Sequence, residues 1–583
     1  MIPRAWRQGE IAVIGLGASG RAAAELLTRD GLRVYASDAS SSDGAQRAAA
    51  ALGRLGASVQ TGGHDLARVA RAAVLVASPG VPPDAAPLAR ARSAGLPVVS
   101  EIEIGLRYLP EHTRYIAITG TNGKTTTTAM VGHLLRALGL TAVDAGNIGT
   151  PLTEIALAAT PPAWVSLEVS SFQLHDTPSI APTVGVLTNL SPDHLDRYPS
   201  VEAYYADKAL LFASGSASSK WVLNADDRET ERMVRSVAAA YPAAATPAGA
   251  AWPLRGALDF SLKHRAEAYY DRTSDELVVM GLPLLVRRKL ALFGDHNVAN
   301  ALAASLAVMA ADASHTTPAS RAQIAAGLES FRALPHRLES VGEVGGVLWI
   351  NDSKATNVSS TLVAIEGMTR PTVLLLGGRH KGEPYTALAE PLRRTGRAVI
   401  AYGEAGPIVA RDLEGVVPLF QLGSDFEAVM AKARSLAQPG DVVLLSPACS
   451  SYDMFANYAE RGATFAGWRC RGRDREVAHI GSQHGRGRGR ARVEEHRSAG
   501  RAAAVAHGRR CAGTRNRDRR AARIRRGGAV QRERARGAAG WPRQHVLPPQ
   551  AAGRHRHWHR AVRDRRQDGR GALARLGVAD HGN

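Results

Sequence analysis

The residues Gly120-Thr121-Asn122-Gly123-Lys124-Thr125-Thr126-Thr127 follow a short β-branched run, Ile116 to Thr119. Backbone amides of such a loop and a lysine ammonium can hold the β- and γ-phosphates of a nucleoside triphosphate, while a threonine hydroxyl reaches Mg²⁺. The usual motif has glycine at position 118, where this chain has Ile118; a strand before the loop and a helix after it keep the mechanics. A second glycine turn, Gly15-Leu16-Gly17-Ala18-Ser19-Gly20, follows the run Ile11 to Ile14, and the next strand ends at Asp38. Alone, that pattern fits a dinucleotide such as NAD, with its pyrophosphate at a helix N-terminus and the acid on a ribose. Two phosphate loops on successive α/β units ask for two nucleotides, one of them hydrolysed. The chemistry moves from redox to phosphoryl transfer.

Mg²⁺ prefers oxygen ligands, so carboxylates should stand near the second loop. Glu168 ends the strand Val165 to Glu168 and opens Val169-Ser170-Ser171-Phe172-Gln173-Leu174, and Asp193-His194-Leu195-Asp196 follows the run Val184 to Asn189. Both lie where strand ends face a crevice in a parallel sheet. Asn297 and Asn300 are three apart, one helical turn, so both amides could face an adenine edge.

The elements that must position these residues read as α/β layers. Val34 to Ala36, Val74 to Ala77, Val184 to Thr188, Val373 to Leu376 and Val442 to Ser446 read as buried strands beside those already named, separated by helical Ala and Leu periods. Breaks near Arg107 to Thr113 and Arg332 to Pro335 predict three domains: 1–108, 109–333 and 334–467. The first and third read as Rossmann-like and the central one as a P-loop ATPase-like domain. No stretch could span a bilayer or serve as a secretion signal. Cys449, Cys470 and Cys511 show no metal-ligand spacing and cannot build a disulfide framework. A cytoplasmic protein with no membrane partner is expected.

The net charge of +20 is confined to one end. Residues 468–583 hold 31 Arg, no Lys and nine Asp or Glu, a net of +22, leaving the remainder at −2. That tail has no Phe or Tyr and no apolar periodicity, so it is expected to be disordered. It reads either as an Arg-rich nucleic-acid arm or as a shifted reading frame in GC-rich DNA; the absence of lysine favours the second. The charge is therefore no argument for a nucleic-acid partner.

Eight motifs occur in one order: the Gly120 loop, Asn147-Ile148-Gly149, Glu168 with Ser170 to Leu174, Asp193 to Tyr198, His296 to Asn300, Pro335-His336-Arg337, Asn351 to Asn357 and Ser446 to Ser451. Together, over about residues 9 to 466, they resemble the Mur ligases of peptidoglycan synthesis. The resemblance implies an ATP-dependent ligase that joins D-glutamate to UDP-N-acetylmuramoyl-L-alanine through an acyl phosphate, acting as a monomer on small molecules. It implies that the first domain binds UDP rather than NAD, through Gly15, Gly17, Ala18, Ser19 and Asp38, with Asn147 of the central domain also on the UDP substrate.

By the same resemblance, ATP is held by Gly120, Thr121, Asn122, Gly123, Lys124, Thr125, Thr126, Asn297 and Asn300, with Arg337 and Asp352 arriving from the third domain. Thr125 and Glu168 would serve one Mg²⁺ and His194 a second. Lys208 would carry a CO₂-derived carbamate as an anionic metal ligand. Lys124, Glu168, His194 and Lys208 are thus the expected catalytic set. Lys354, Thr356, Lys381, Ser451 and Tyr458 would take D-glutamate, as a lysine and hydroxyls suit two carboxylates. His380 stands where family members often carry a small or acidic residue. The family also ends in one more short helix beyond Arg461-Gly462, which a shifted frame would have replaced.

Three alternatives remain. A Mur-type or folylpolyglutamate-type ligase could add another amino acid, although the Ser170 to Leu174 run and the lack of an Asp-Asn-Pro-Arg signature speak against it. A nucleic-acid-binding protein would act through its tail, with binding that is steeply salt-dependent. An NAD-dependent dehydrogenase leaves the second loop unexplained.

Overall fold

The computed structural model describes residues 1–195, 197–212, 215–216, 218–240 and 257–468, all within one compact unit, Met1–Arg488. The expectations for Asp196 and for residues 469–583 lie outside the described residues.

Three sheets follow one another along the chain. The first is wholly parallel, in the order Ser58–Thr61, Arg33–Asp38, Glu10–Ile14, Val74–Ala77, Val98–Ser100. Its order reverses beside Glu10–Ile14, so the crevice of a doubly wound sheet opens at the glycine turn that follows this strand. Helix Glu101–Tyr108 then packs on helix Leu152–Leu157 of the second region.

The second sheet has nine strands. Strand Arg114–Thr119 lies between Val184–Leu187 and Trp164–Glu168, parallel to both. The phosphate loop, Glu168 and the 188–194 segment therefore leave the same edge. Helix Asp295–Ala311 lies in the core behind this sheet, buried along most of its length. The third sheet runs Glu339–Val344, Val347–Asn351, Val442–Leu445, Thr372–Gly377, Gly396–Tyr402, Leu419–Gln421.

All eight runs read from the sequence as strands are strands. The parallel pattern is broken twice: Ala268–Asp271, Glu276–Val279 and Leu282–Val286 form an antiparallel meander, and Glu339–Val344 pairs antiparallel with Val347–Asn351. Two-residue and four-residue turns join these strands, too short for the crossover that a parallel pair needs. Among the described residues no helix is long and apolar enough to cross a membrane.

The expected loss of the closing helix is not what the structure shows. Residues 458–468 are helical, and Phe465 is fully buried against Trp349. Arg461, also fully buried, donates to Ser353 Oγ (3.0 Å), Ser353 O (2.9 Å) and Cys449 O (3.1 Å). Arg461→Ala leaves these acceptors unpaired beside a cavity, and should lower unfolding free energy by about 3 kcal/mol in a denaturant titration.

Candidate active site

The phosphate loop needs glycine at two places. Gly120 has φ +142° and a Cβ there would lie 2.0 Å from Thr188 Oγ1; Gly123 has φ +82° and a Cβ would lie 2.4 Å from Asn300 Oδ1. Helix Lys124–Ala137 starts directly after Gly123, so its free amides face the loop. Thr121 is pinned to Ser191 O (3.0 Å) and Asn122 N–H to Asn189 Oδ1 (2.9 Å), while Thr126 is buried.

Two lysines converge on this loop. Lys124 Nζ donates to Gly120 O (2.9 Å) and Thr121 O (2.7 Å). Lys208, on helix Val201–Ala209, is 1% exposed and its Nζ donates to the same Gly120 O at 2.7 Å. Burial, and then the neighbouring Lys124 charge, push the Lys208 ammonium well below its ordinary range. Burial also lowers Lys124, against the pull of Glu168 and Asp193. Lys208 is thereby shifted toward the neutral, nucleophilic amine.

Glu168 is 1% exposed at the end of its strand. Its Oε1 accepts from Asn147 Nδ2 (2.9 Å), while Oε2 is buried with no hydrogen-bond partner among the described residues. A buried carboxylate oxygen without a partner is costly unless a cation or donor completes it. Mg²⁺ commonly takes one or two carboxylates plus substrate phosphates. Glu168 and the Thr125 hydroxyl fit that pattern, and the described residues contain no cluster of three or more His, Cys, Asp or Glu that would suit a cage for another metal. Asn147, expected on the UDP substrate, is here the residue that orients Glu168.

His194 sits at φ +55°, held by its N–H to Asp193 Oδ1 (2.8 Å) and by edge contact with Phe172. Burial lowers the imidazole, leaving it neutral and able to ligate. His336 (φ +63°) and Leu338 (φ +43°) flank Arg337, and Ala448 (φ +55°) lies in the Ser446 to Ser451 segment. Three of the six described non-glycine residues with positive φ thus fall in these motifs and a fourth, Leu338, directly follows one, as stored strain at a working site does.

The third sheet reaches the loop directly. Arg337 Nη2 donates to Thr125 Oγ1 (2.5 Å), Asn122 bonds Ser359 Oγ (2.9 Å) and Ser360 Oγ (2.8 Å), and Asn357 Nδ2 donates to Asp193 Oδ2 (3.0 Å). Asp352 is buried, accepts from Leu338 N–H and Ser446 Oγ, and burial raises it to about 7. Lys354 lies 3.8 Å from the Tyr458 ring centroid, and burial lowers it to about 8. Lys381 and Thr356 are partly buried and Ser451 is buried. Ser359, Ser360 and Asn357 were not expected; Asn357 N-caps helix Val358–Glu366 and its sequence signal is only that of a cap.

Asn297 and Asn300 lie behind the loop. Asn300 Oδ1 accepts from Thr127, its Nδ2 donates to Asn297 Oδ1, and Asn297 Nδ2 donates to Phe293 O. Both amides in this arrangement bond protein groups.

In the first sheet, Gly15 has φ +90° and a Cβ on Gly20 would lie 1.8 Å from Gly15 O. Asp38 accepts from Leu16 N–H (2.6 Å) and Ser40 N–H (2.8 Å), so it orders the turn whose other members are Gly17, Ala18 and Ser19. A cavity of about 290 Å³ opens between the first and second sheets, lined by Ser78, Val81, Phe172, Gln173 and Tyr198 among others.

Three successive sheets, with a phosphate loop completed by the sheet that follows it, define a multidomain ATP-dependent ligase. Residues 9–100 match the Mur ligase MurD-like N-terminal domain, 118–308 the Mur ligase middle domain and 336–449 the Mur ligase glutamate ligase domain, and the chain belongs to the Mur ligase family. A Salinibacter ruber protein named UDP-N-acetylmuramoylalanine--D-glutamate ligase is 42% identical over 475 residues, 80% of this chain and 98% of that protein. A Chromobacterium violaceum protein of the same name is 40% identical over 463 residues, 78% of this chain and 96% of that protein. The crystal structure of UDP-N-acetylmuramate-alanine ligase from Thermotoga maritima shares the fold at a TM-score of 0.50 and 19% identity, covering 80% of this chain and 100% of that one.

Proposed function

We propose that this chain joins D-glutamate to UDP-N-acetylmuramoyl-L-alanine at the expense of ATP. In this reading the terminal carboxylate of the alanyl substrate attacks the γ-phosphorus. A C–O–P bond forms, the bond to ADP breaks, and an acyl phosphate results. The D-glutamate amine then adds to the acyl carbon, a C–N bond forms, and phosphate and a proton leave. Lys124 leaves the loop carbonyls for the phosphates, and Arg337 neutralises charge from across the cleft. Thr125 and Glu168 would hold one Mg²⁺, and His194 with a carbamate on Lys208 a second, and these ions would supply further charge neutralisation. Positioning and electrostatics carry the rate, and no protein nucleophile is needed.

The observation that carries this reading is the Arg337 to Thr125 contact, because it joins the phosphate loop to the sheet bearing Lys354, Lys381 and Ser451. D-glutamate is the amino acid in this reading, given the name of the relatives and a lysine pair suited to two carboxylates. The UDP end would take the Gly15 turn and Asp38, with the substrate crossing the cavity between the first two sheets. The same reading has a monomeric enzyme acting in the cytoplasm without a nucleic-acid partner.

The test is phosphate release with ATP, Mg²⁺ and UDP-N-acetylmuramoyl-L-alanine. Stimulation by D-glutamate, and not by L-glutamate, L-lysine or diaminopimelate, is expected; equal stimulation by another amino acid would replace the substrate. The pH dependence is also defined. Lys354 is a cation below about 8 and loses its proton above it, so the KM for D-glutamate should rise as pH passes about 8 while the KM for ATP moves less. A D-glutamate KM that falls over that range would exclude Lys354 from carboxylate binding.

A further inference from the structure

Lys381 and Ser451, both assigned above to the amino acid, stand on different segments. One leaves strand Thr372–Gly377 and the other leaves the adjacent strand Val442–Leu445. Backbone bonds tie the segments where they start: Gly377 N–H to Pro447 O (3.0 Å) and Arg379 N–H to Ser450 O (2.9 Å). Past Arg379 the tie passes to side chains. The Tyr385 hydroxyl lies 3.0 Å from His380 Nδ1 and 2.9 Å from Cys449 Sγ. Tyr385 is 1% exposed and is anchored on its far side by its own N–H to Asp412 Oδ2 (3.0 Å). Cys449 is fully buried, and burial pushes its thiol up to about 11, so it keeps its hydrogen. The thiol can then donate to the phenol and the phenol to Nδ1, leaving the imidazole hydrogen on Nε2.

We infer that His380, Tyr385 and Cys449 form a positioning relay that sets the separation of Lys381 from Ser451, and through it the length of dicarboxylate amino acid the enzyme accepts. The inference rests on the amino-acid pocket proposed above. His380 adjoins Lys381 in the chain, so the rotation of one is coupled to the other. The backbone bonds fix the bases of the two segments, whereas the relay fixes the end that carries Lys381. Glu383, in the same stretch, accepts from the Val358 N–H (3.3 Å) at the start of the helix whose Ser359 and Ser360 hold the phosphate loop. This stretch therefore meets the amino-acid pocket through Lys381 and the start of the loop-holding helix through Glu383, and Tyr385 bonds on the Lys381 side.

Tyr385→Phe keeps the buried ring and removes both hydrogen bonds. It should raise the KM for D-glutamate about fivefold, with kcat and the KM for ATP within twofold, within the range that loss of neutral hydrogen bonds gives when only the one to His380 bears on Lys381. Discrimination against D-aspartate, shorter by one methylene, should fall by a similar factor. His380→Ala should act in the same direction, His380→Gln should recover part of the loss, and the double variant should be no worse than either single one, since the three groups act as one unit. An unchanged D-glutamate KM and unchanged discrimination would overturn the relay, as would an equal loss in every kinetic parameter together with a lowered Tm. If D-glutamate does not stimulate the unaltered enzyme, the pocket assignment fails instead. The relay is then judged by alkylation of Cys449 followed by mass spectrometry, expected to be several-fold faster in Tyr385→Phe and overturned by an unchanged rate.

Discussion

Lys208→Ala should reduce D-glutamate-dependent phosphate release by about 10³-fold, the loss expected when a group stabilising transition-state charge is removed. Formate or acetate should restore part of it. Lys208 is 1% exposed, bonded to Gly120 O and held toward its neutral form by burial and by Lys124. An amine in that state adds to CO₂: an N–C bond forms, one N–H proton is released, and a carbamate anion replaces what would have been a buried cation beside Lys124. The electrostatics of the site change, from two amines whose cationic forms compete to an ion pair of the Lys124 ammonium and the carbamate. A short carboxylic acid entering the space left by alanine supplies the same charge and the same oxygens. Lys208→Arg should be inactive and not rescued, because a guanidinium keeps its charge and fills the space. Full activity in Lys208→Ala, or a loss indifferent to carboxylic acids and to CO₂ depletion of the unaltered enzyme, would remove the carbamate.

Local patterns made much of this fold readable. The run Ile116 to Thr119 followed by Gly120 to Thr127 places strand, loop and helix without distant information, although the clashes that require Gly120 and Gly123 come from the distant Thr188 and Asn300. Buried parallel strands announce themselves as β-branched runs, and all eight were found. The antiparallel meander at 268–286 is less legible, because Asp271 to Glu276 and Met280-Gly281 are turn signals that specify direction only once a neighbouring strand exists.

The site is less legible wherever its partners are far apart in sequence. Arg337 and Thr125 are 212 positions apart, and Asn122 and Ser360 are 238 apart. Asn147 and Asp38 carry residue types that suit a ligand, and in the structure they also bond protein groups, Asn147 to Glu168 and Asp38 to the Leu16 N–H of the Gly15 turn. Nothing in a residue type separates touching a substrate from holding the residue that does. The closing helix shows the same limit: Arg461 and Phe465 belong to the last segment before the Arg-rich tail, and only their complete burial shows that the chain is still folded there.

Lys124→Ala should abolish ATP cleavage, a loss of about 10³-fold or more in kcat, and no added carboxylic acid should restore it. Both lysines meet at Gly120 O, yet the two variants remove opposite signs of charge in the proposed mechanism. Lys124 supplies the cation for the phosphates, so what its loss leaves unbalanced is negative charge, and a carboxylate would add to it. There is also a consequence for its neighbour. The Lys124 charge is one of the causes that depress Lys208, so removing it should let the Lys208 ammonium rise toward its ordinary range and lower the fraction carbamylated at a given pH. Carbon-13 NMR of the ¹³CO₂-labelled carbamate would read that fraction directly. Lost turnover with a weakened carbamate signal is the expected pair in Lys124→Ala, whereas turnover like that of the unaltered enzyme would sink the assignment of this loop to ATP.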